Sequence, residues 1–223
     1  MNFRRPLILA SSSPRRRFLM KEVGFQFTVA SPDIDESFSA DLPVEKIPTY
    51  LAEKKARVFE HRITDEVVVT SDTVVILDQE VLNKPIDRDD AMGMLSRLSG
   101  RTHVVITGVC LFSQNKIECF DDRTEVTFRN LSQGEIEFYI DHFKPFDKAG
   151  SYGAQDCLPA GFNPCSEEEI AFLEKIGKLD LIDKSIHEVK LRSGMPIIET
   201  IKGSYFTVMG LPVHKVFTHL ESF

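Results

Sequence analysis

The spacing of apolar residues along the chain switches repeatedly between a period of two and a period near 3.6. There is no internal repeat and no low-complexity tract, so the pattern is that of an α/β or α+β chain. Leu7 to Ala10 predicts a strand that breaks into Ser11-Ser12-Ser13, with Pro14 opening a helix behind those hydroxyls. Residues 25–29 predict a second strand, 31–43 a loop rich in Asp and Ser, and 44–62 a helix carrying Ile47, Leu51 and Val58 on one side. Residues 67–71 predict a buried strand that Asp72-Thr73 interrupts before 74–77 resumes it. Asp87 to Asp90 starts a helix through Met94, Leu95 and Leu98 that Gly100 ends. Residues 101–112 and 116–128 predict two long antiparallel strands joined at Ser113-Gln114-Asn115. Ser132 and Glu135 have capping-box spacing, and Ser166 and Glu169 repeat it ahead of Ile170, Phe172, Leu173 and Ile176. A Gly-rich turn at 148–155 follows the first of these helices. The chain closes with a predicted strand at Tyr205–Met209, then Gly210-Leu211-Pro212 and a helix with Val216, Phe217 and Leu220.

Composition narrows the partners. At 223 residues and 42% apolar content the chain can bury a substantial core. A net charge of −7 argues against a nucleic-acid polymer as partner, so any anion site is a local basic pocket in an acidic body, suited to a small phosphorylated ligand. Four cysteines, Cys110, Cys119, Cys157 and Cys165, lack zinc-site pairing and disulfide density, which predicts reduced thiols. The apolar run near the start is too short for a signal peptide and no run reaches membrane-spanning length, so a cytoplasmic protein without membrane attachment is expected.

The chemistry is located by charged residues standing where the pattern wants apolar ones. Helix-start amides and the guanidinium forks of Arg15, Arg16 and Arg17 suit phosphate oxygens, although a plain helix cap with a solvated basic face has the same sequence. Asp72, between two β-branched runs, is expensive to bury unpaired and is expected at a strand end facing a cleft, a cation or a water; a turn-capping aspartate is the bland alternative. Lys84 can return to the same cleft through a hairpin, and Glu36 adds a carboxylate from an acidic loop. Together these side chains make a site for cleaving a phosphoanhydride: cations hold the phosphates, carboxylates hold a hard divalent metal, and one carboxylate takes a proton from water. No Walker A and no G-x-S-x-G sequence occurs, and the histidines are scattered, so P-loop and triad-hydrolase chemistries drop out.

In collinear order along nearly the whole chain, the motifs Ala10-Ser11-Ser12-Ser13-Pro14-Arg15-Arg16, Leu51-Ala52-Glu53-Lys54-Lys55-Ala56, Ser71-Asp72-Thr73-Val74-Val75, Lys84-Pro85, Leu98-Ser99-Gly100-Arg101-Thr102-His103, 148–155 and 205–212 resemble the Maf family of nucleotide pyrophosphatases. The resemblance implies a bent mixed sheet with flanking helices, related to the inosine triphosphate pyrophosphatases, with two lobes around a nucleotide cleft. It also implies hydrolysis of a nucleoside triphosphate to monophosphate and pyrophosphate with Mg²⁺ or Mn²⁺, in a homodimer. Residue by residue it places the proton acceptor at Asp72 and the metal near Glu36 and Asp72. Phosphate contacts fall on Ser13, Arg15, Arg16, Lys55 and Lys84. Arg15, Thr73 and Gln155 match the branch acting on dTTP and UTP, with modified pyrimidine nucleotides as further candidates; the Gln155 amide can donate to and accept from a uracil or thymine imide. The sister branch acting on 7-methyl-GTP, and a nucleotide-binding regulator of septum formation, are the alternatives. The chain is expected to be one domain over 1–223 that departs from the family by an insertion at about 156–194, where the family has only a few residues. Ser71 and Asn83 stand where Ala or Gly is usual.

Overall fold

The computed structural model describes residues 3–32, 34–159, 161–190 and 196–223, with side chains left undescribed over 186–190. A seven-stranded mixed sheet has the order β2-β1-β3-β5-β6-β7, with β4 paired to β3 off that path. The strands are β1 (Leu7–Ala10), β2 (Phe27–Ala30), β3 (Val67–Leu77), β4 (Glu80–Leu82), β5 (Thr102–Phe112), β6 (Ile117–Phe128) and β7 (Ile198–Lys202). β1 runs parallel to β2 and β3, whereas β3, β5, β6 and β7 pair antiparallel, so the mixed sheet expected from the sequence is present.

The helices are α1 (Pro14–Val23), α2 (Ile47–Arg57), α3 (Arg88–Leu98), α4 (Gln133–Phe143), α5 (Glu167–Lys175), α6 (Asp180–Lys190), α7 (Tyr205–Met209) and α8 (Val213–Ser222). α2 lies on β3 and β5, its backbone pressed onto Gly108, where a Cβ would stand 2.3 Å from the Thr49 nitrogen. Only glycine admits that approach. A core of Leu9, Leu19, Met20, Val69, Leu95, Leu111, Tyr139 and Phe206 fills the space between sheet and helices, and a smaller cluster of Ala52, Ala56, Phe59, Val68, Cys110 and Phe112 sits under α2.

Three expectations need correction. β3 is continuous through Asp72 rather than ending there, because its side chain finds a cation and the backbone has no reason to stop pairing with Gly108. The helix expected over 44–62 is a 3₁₀ turn, Val44–Lys46, followed by α2, which ends at Arg57. Tyr205–Met209 is helix, not strand: Ser204 caps Thr207 N at 3.0 Å, and Gly210, at φ 103°, closes the turn. Caps at both ends override the β propensity of a Tyr-Phe-Thr-Val run. The segment 156–194 contributes α5 and α6, and its Phe172, Leu173 and Leu181 are buried in the main core.

Candidate functional site

Asp72 leaves the middle of β3 toward Lys55, whose helix is fixed to the same strand by the Thr70 hydroxyl donating to the Ala52 carbonyl at 2.6 Å. Lys55 is 8% exposed, on a helix face with buried Leu51, Ala52 and Ala56. Its ammonium donates to Asp72 Oδ1 at 2.5 Å and pairs with Glu36 Oε1 at 2.8 Å. The 31–43 loop is steadied beside it by Lys54 donating to the Ser37 carbonyl at 2.9 Å. Partial burial pushes the Glu36 carboxyl upward, but the Lys55 hydrogen bond and the charges of Lys55, Lys84 and Arg16 outweigh it and hold the group below its ordinary value. Two carboxylates thus face one cation.

Arg16 is half-buried at the cleft wall. Its Nε donates to the Gly210 carbonyl at 2.8 Å, Nη1 to the Ser71 carbonyl at 2.7 Å and to Ser11 Oγ at 3.4 Å, and Nη2 to Thr73 Oγ1 at 3.1 Å. All but one of its N–H groups are therefore committed to protein. Burial lowers its pKa, opposed by the charge of Asp72. Thr73 passes the chain on: the Thr107 hydroxyl donates to the Thr207 carbonyl at 2.8 Å, so the 2.9 Å contact between Thr73 and Thr107 has Thr73 as donor. Ser13 caps α1, its hydroxyl accepting from Arg16 N at 3.4 Å. Arg15 pairs with Asp147 at 3.2 Å, and the other oxygen of Asp147 accepts from Lys148 at 2.6 Å.

The Gly-rich turn is hung from buried aromatic groups. His103 Nε2 and the Tyr152 hydroxyl share a hydrogen bond of 2.7 Å, Phe128 stands edge-on to both rings, and the Tyr139 hydroxyl accepts from Gly153 N at 3.0 Å. Burial lowers the His103 pKa to about 3, so the imidazole is neutral. Beyond this anchor lies Gln155, whose Oε1 is buried and has no hydrogen-bond partner.

Nine of the residues singled out from the sequence line one cleft of about 630 Å³: Ser13, Arg15, Arg16, Glu36, Lys55, Asp72, Thr73, Lys84 and Gln155; Arg17 does not, its guanidinium lying exposed and donating to the Ser12 carbonyl at 3.2 Å. The hairpin through β4 does bring Lys84 back. Asp147, Lys148 and Gly210 also line the cleft and were given no role; Lys148 and Gly210 stand inside the quoted 148–155 and 205–212 motifs, but nothing in the sequence signals the Gly210 carbonyl contact or the Thr107 relay. Among the described residues no three His, Cys, Asp or Glu side chains cluster as a metal cage. Glu36 and Asp72 fit the sparser set that Mg²⁺ takes, one or two carboxylates completed by water and substrate phosphates. No helix among the described residues is long and apolar enough to cross a membrane.

A protein from Phocaeicola vulgatus is 41% identical over 217 residues, covering 96% of this chain and 94% of its own length. One from Flavobacterium psychrophilum is 40% identical over 215 residues, covering 96% and 92%, and one from Bacteroides fragilis 38% over 217, covering 96% and 94%. Each of these relatives is named dTTP/UTP pyrophosphatase. Among solved structures, a HAM1 protein from Coxiella burnetii covers 55% of this chain and 72% of its own at a TM-score of 0.41 and 16% identity, too distant to argue from. A family profile described as Maf-like protein matches residues 6–176, and the chain belongs to that family.

Proposed function

We propose that the cleft hydrolyses pyrimidine nucleoside triphosphates, dTTP and UTP, to the monophosphate and pyrophosphate. The observation that carries this reading is the convergence of Asp72, Lys55, Glu36, Arg15, Arg16 and Lys84 on the same cleft as the unpartnered Gln155 oxygen. A buried acceptor without a donor is costly, and the imide N–H of uracil or thymine supplies one. The names of the relatives support the same substrates.

Asp72 acts as the proton acceptor for the water that attacks the α-phosphorus. Lys55 engages Oδ1, which orients the carboxylate and leaves Oδ2 to take the proton. Arg15, Lys84 and the remaining N–H of Arg16 bind the phosphate oxygens and neutralise charge as pyrophosphate departs. Glu36 and Asp72 would hold a Mg²⁺ or Mn²⁺ ion, which would supply further charge neutralisation.

The test is pyrophosphate release from dTTP, UTP, CTP, GTP and 7-methyl-GTP with either metal, beside Asp72→Asn. Turnover of dTTP and UTP that falls by about 10²- to 10⁴-fold in the variant is expected. Preference for 7-methyl-GTP, or an Asp72→Asn enzyme of unchanged rate, overturns the reading.

A further inference from the structure

Cys110 and Cys119 sit directly opposite each other on β5 and β6. The hairpin fixes what kind of pair they form. Ser113 N donates to the Lys116 carbonyl at 2.8 Å, and at the far end Phe128 N donates to the Arg101 carbonyl at 3.0 Å. The register between these points is unbroken, so odd positions of β5 are hydrogen-bonded pairs and even positions, Cys110 included, are not. At a pair of that second kind the Cα atoms approach to about 4.5 Å and the side chains lean together, within the span a disulfide bridges. Both side chains pack under α2 with Ala52, Ala56 and Phe59; Cys110 is buried and Cys119 is partly open to solvent. The proximity of the two thiols raises Cys110 and holds Cys119 below its ordinary pKa, with Arg57 adding to the second effect against burial and Glu53. Cys157 and Cys165, by contrast, are pushed up by burial.

We propose that Cys110 and Cys119 are an oxidation site, with Cys119 attacking a peroxide and Cys110 resolving the product to an intramolecular cross-strand disulfide. In the first step the Cys119 thiolate forms a bond to a peroxide oxygen as the O–O bond breaks. The sulfur is oxidised to sulfenic acid and hydroxide leaves, taking up a proton to become water. In the second, Cys110 sulfur attacks Cys119 sulfur, the S–O bond breaks, and the hydroxyl leaves as water with the Cys110 proton. The sum is two thiols and one hydrogen peroxide giving one disulfide and two waters.

The bond draws the sulfurs to about 2.0 Å beneath the turn of α2 that carries Lys55, so the modification reaches the cleft through the Lys55 to Asp72 contact. A misplacement of about 1 Å can cost 10²-fold in rate. A displacement of the turn carrying Lys55 by less than that costs less, and a loss of about tenfold in turnover is expected.

The experiment exposes the intact protein to hydrogen peroxide, blocks remaining thiols by alkylation, and maps peptides by mass before and after dithiothreitol. Two of the four thiols should vanish together into a linked peptide pair containing Cys110 and Cys119, with turnover falling and recovering on reduction. Cys119→Ser should keep its turnover and its other thiols under the same dose. Cys119 accumulating as sulfinic acid beside a free Cys110, or Cys157 or Cys165 reacting first, overturns the assignment. A full disulfide without change in turnover overturns its link to Lys55. The covalent readout does not depend on the pyrophosphatase reading, so the two stand or fall separately.

Discussion

The cleft has two regions finished in opposite ways. Around Asp72, Lys55 spans two carboxylates, and four of the N–H groups of Arg16 are spent on two carbonyls and two hydroxyls. Around Gln155 a buried oxygen is left without a hydrogen-bond partner, on a turn held by a neutral histidine and a tyrosine. The first region is assembled before any ligand arrives and answers to charge. The second leaves an acceptor open to a ligand donor. Rate should therefore live in the first and selectivity in the second.

The largest expected effect strikes the first region. Lys55→Met leaves Asp72 and Glu36 facing each other with no cation between them, and turnover should drop by about 10³-fold for every base. A variant retaining a tenth of its rate would break the division of labour. Next is the support behind Arg16. Glu169, fully buried, accepts from Ser204 Oγ at 2.5 Å, Tyr205 N at 3.0 Å and Phe206 N at 2.9 Å, and so seats α7, whose closing residue offers its carbonyl to Arg16. Glu169→Ala strands those donors and should cost about 3 kcal/mol in urea unfolding. Glu135→Ala, in the exposed capping box, should cost about 1 kcal/mol, and equal costs would deny Glu169 its second role.

Gln155→Glu tests the other region. It should lower kcat/KM for dTTP and UTP by about 10- to 100-fold, with a smaller loss on dCTP, and a uniform loss would remove Gln155 from recognition. The mildest contrast is in acid. The unfolded chain protonates His103 near 6.5 while the folded one resists to about 3, so stability falls as pH drops through that window, by about 1.4 kcal/mol per unit. Glu36, with its pKa lowered, keeps its ion pair through the upper part of the same window and loses it only as pH falls below the ordinary carboxylate range. His103→Phe should flatten the pH dependence of unfolding between pH 5 and 7 by about one proton, and an unchanged slope would show that the turn is not held by a neutral imidazole.

Much of this was legible because the signals are local. A hydroxyl and proline before a helix, a carboxylate inside an apolar run, and a lysine after a hairpin each point to one cleft, and all of them line it. What escaped depends on partners distant in sequence. Asp72 looked like a strand end because its countercharge stands 17 residues away on α2. The run at 205–209 looked extended because the carboxylate that seats its first turn lies 35 to 37 residues upstream, in a segment expected to be an insertion. The two capping boxes are alike in sequence, and only burial separates the one that serves its own helix from the one that serves two. Arg16 was expected to hold phosphate; its four protein bonds make it first a brace between α1, β3 and the turn before α8.

The hydroxyl chain from Arg16 through Thr73 and Thr107 to the Thr207 carbonyl has only one polarity, since its last acceptor cannot donate. Thr107 is fully buried, which shields its hydroxyl proton from solvent. That proton is therefore expected to exchange slowly enough to give its own resonance, and a shift of that resonance on adding dTTP would report, without any label, a change in the Thr73 to Thr107 contact beside Asp72.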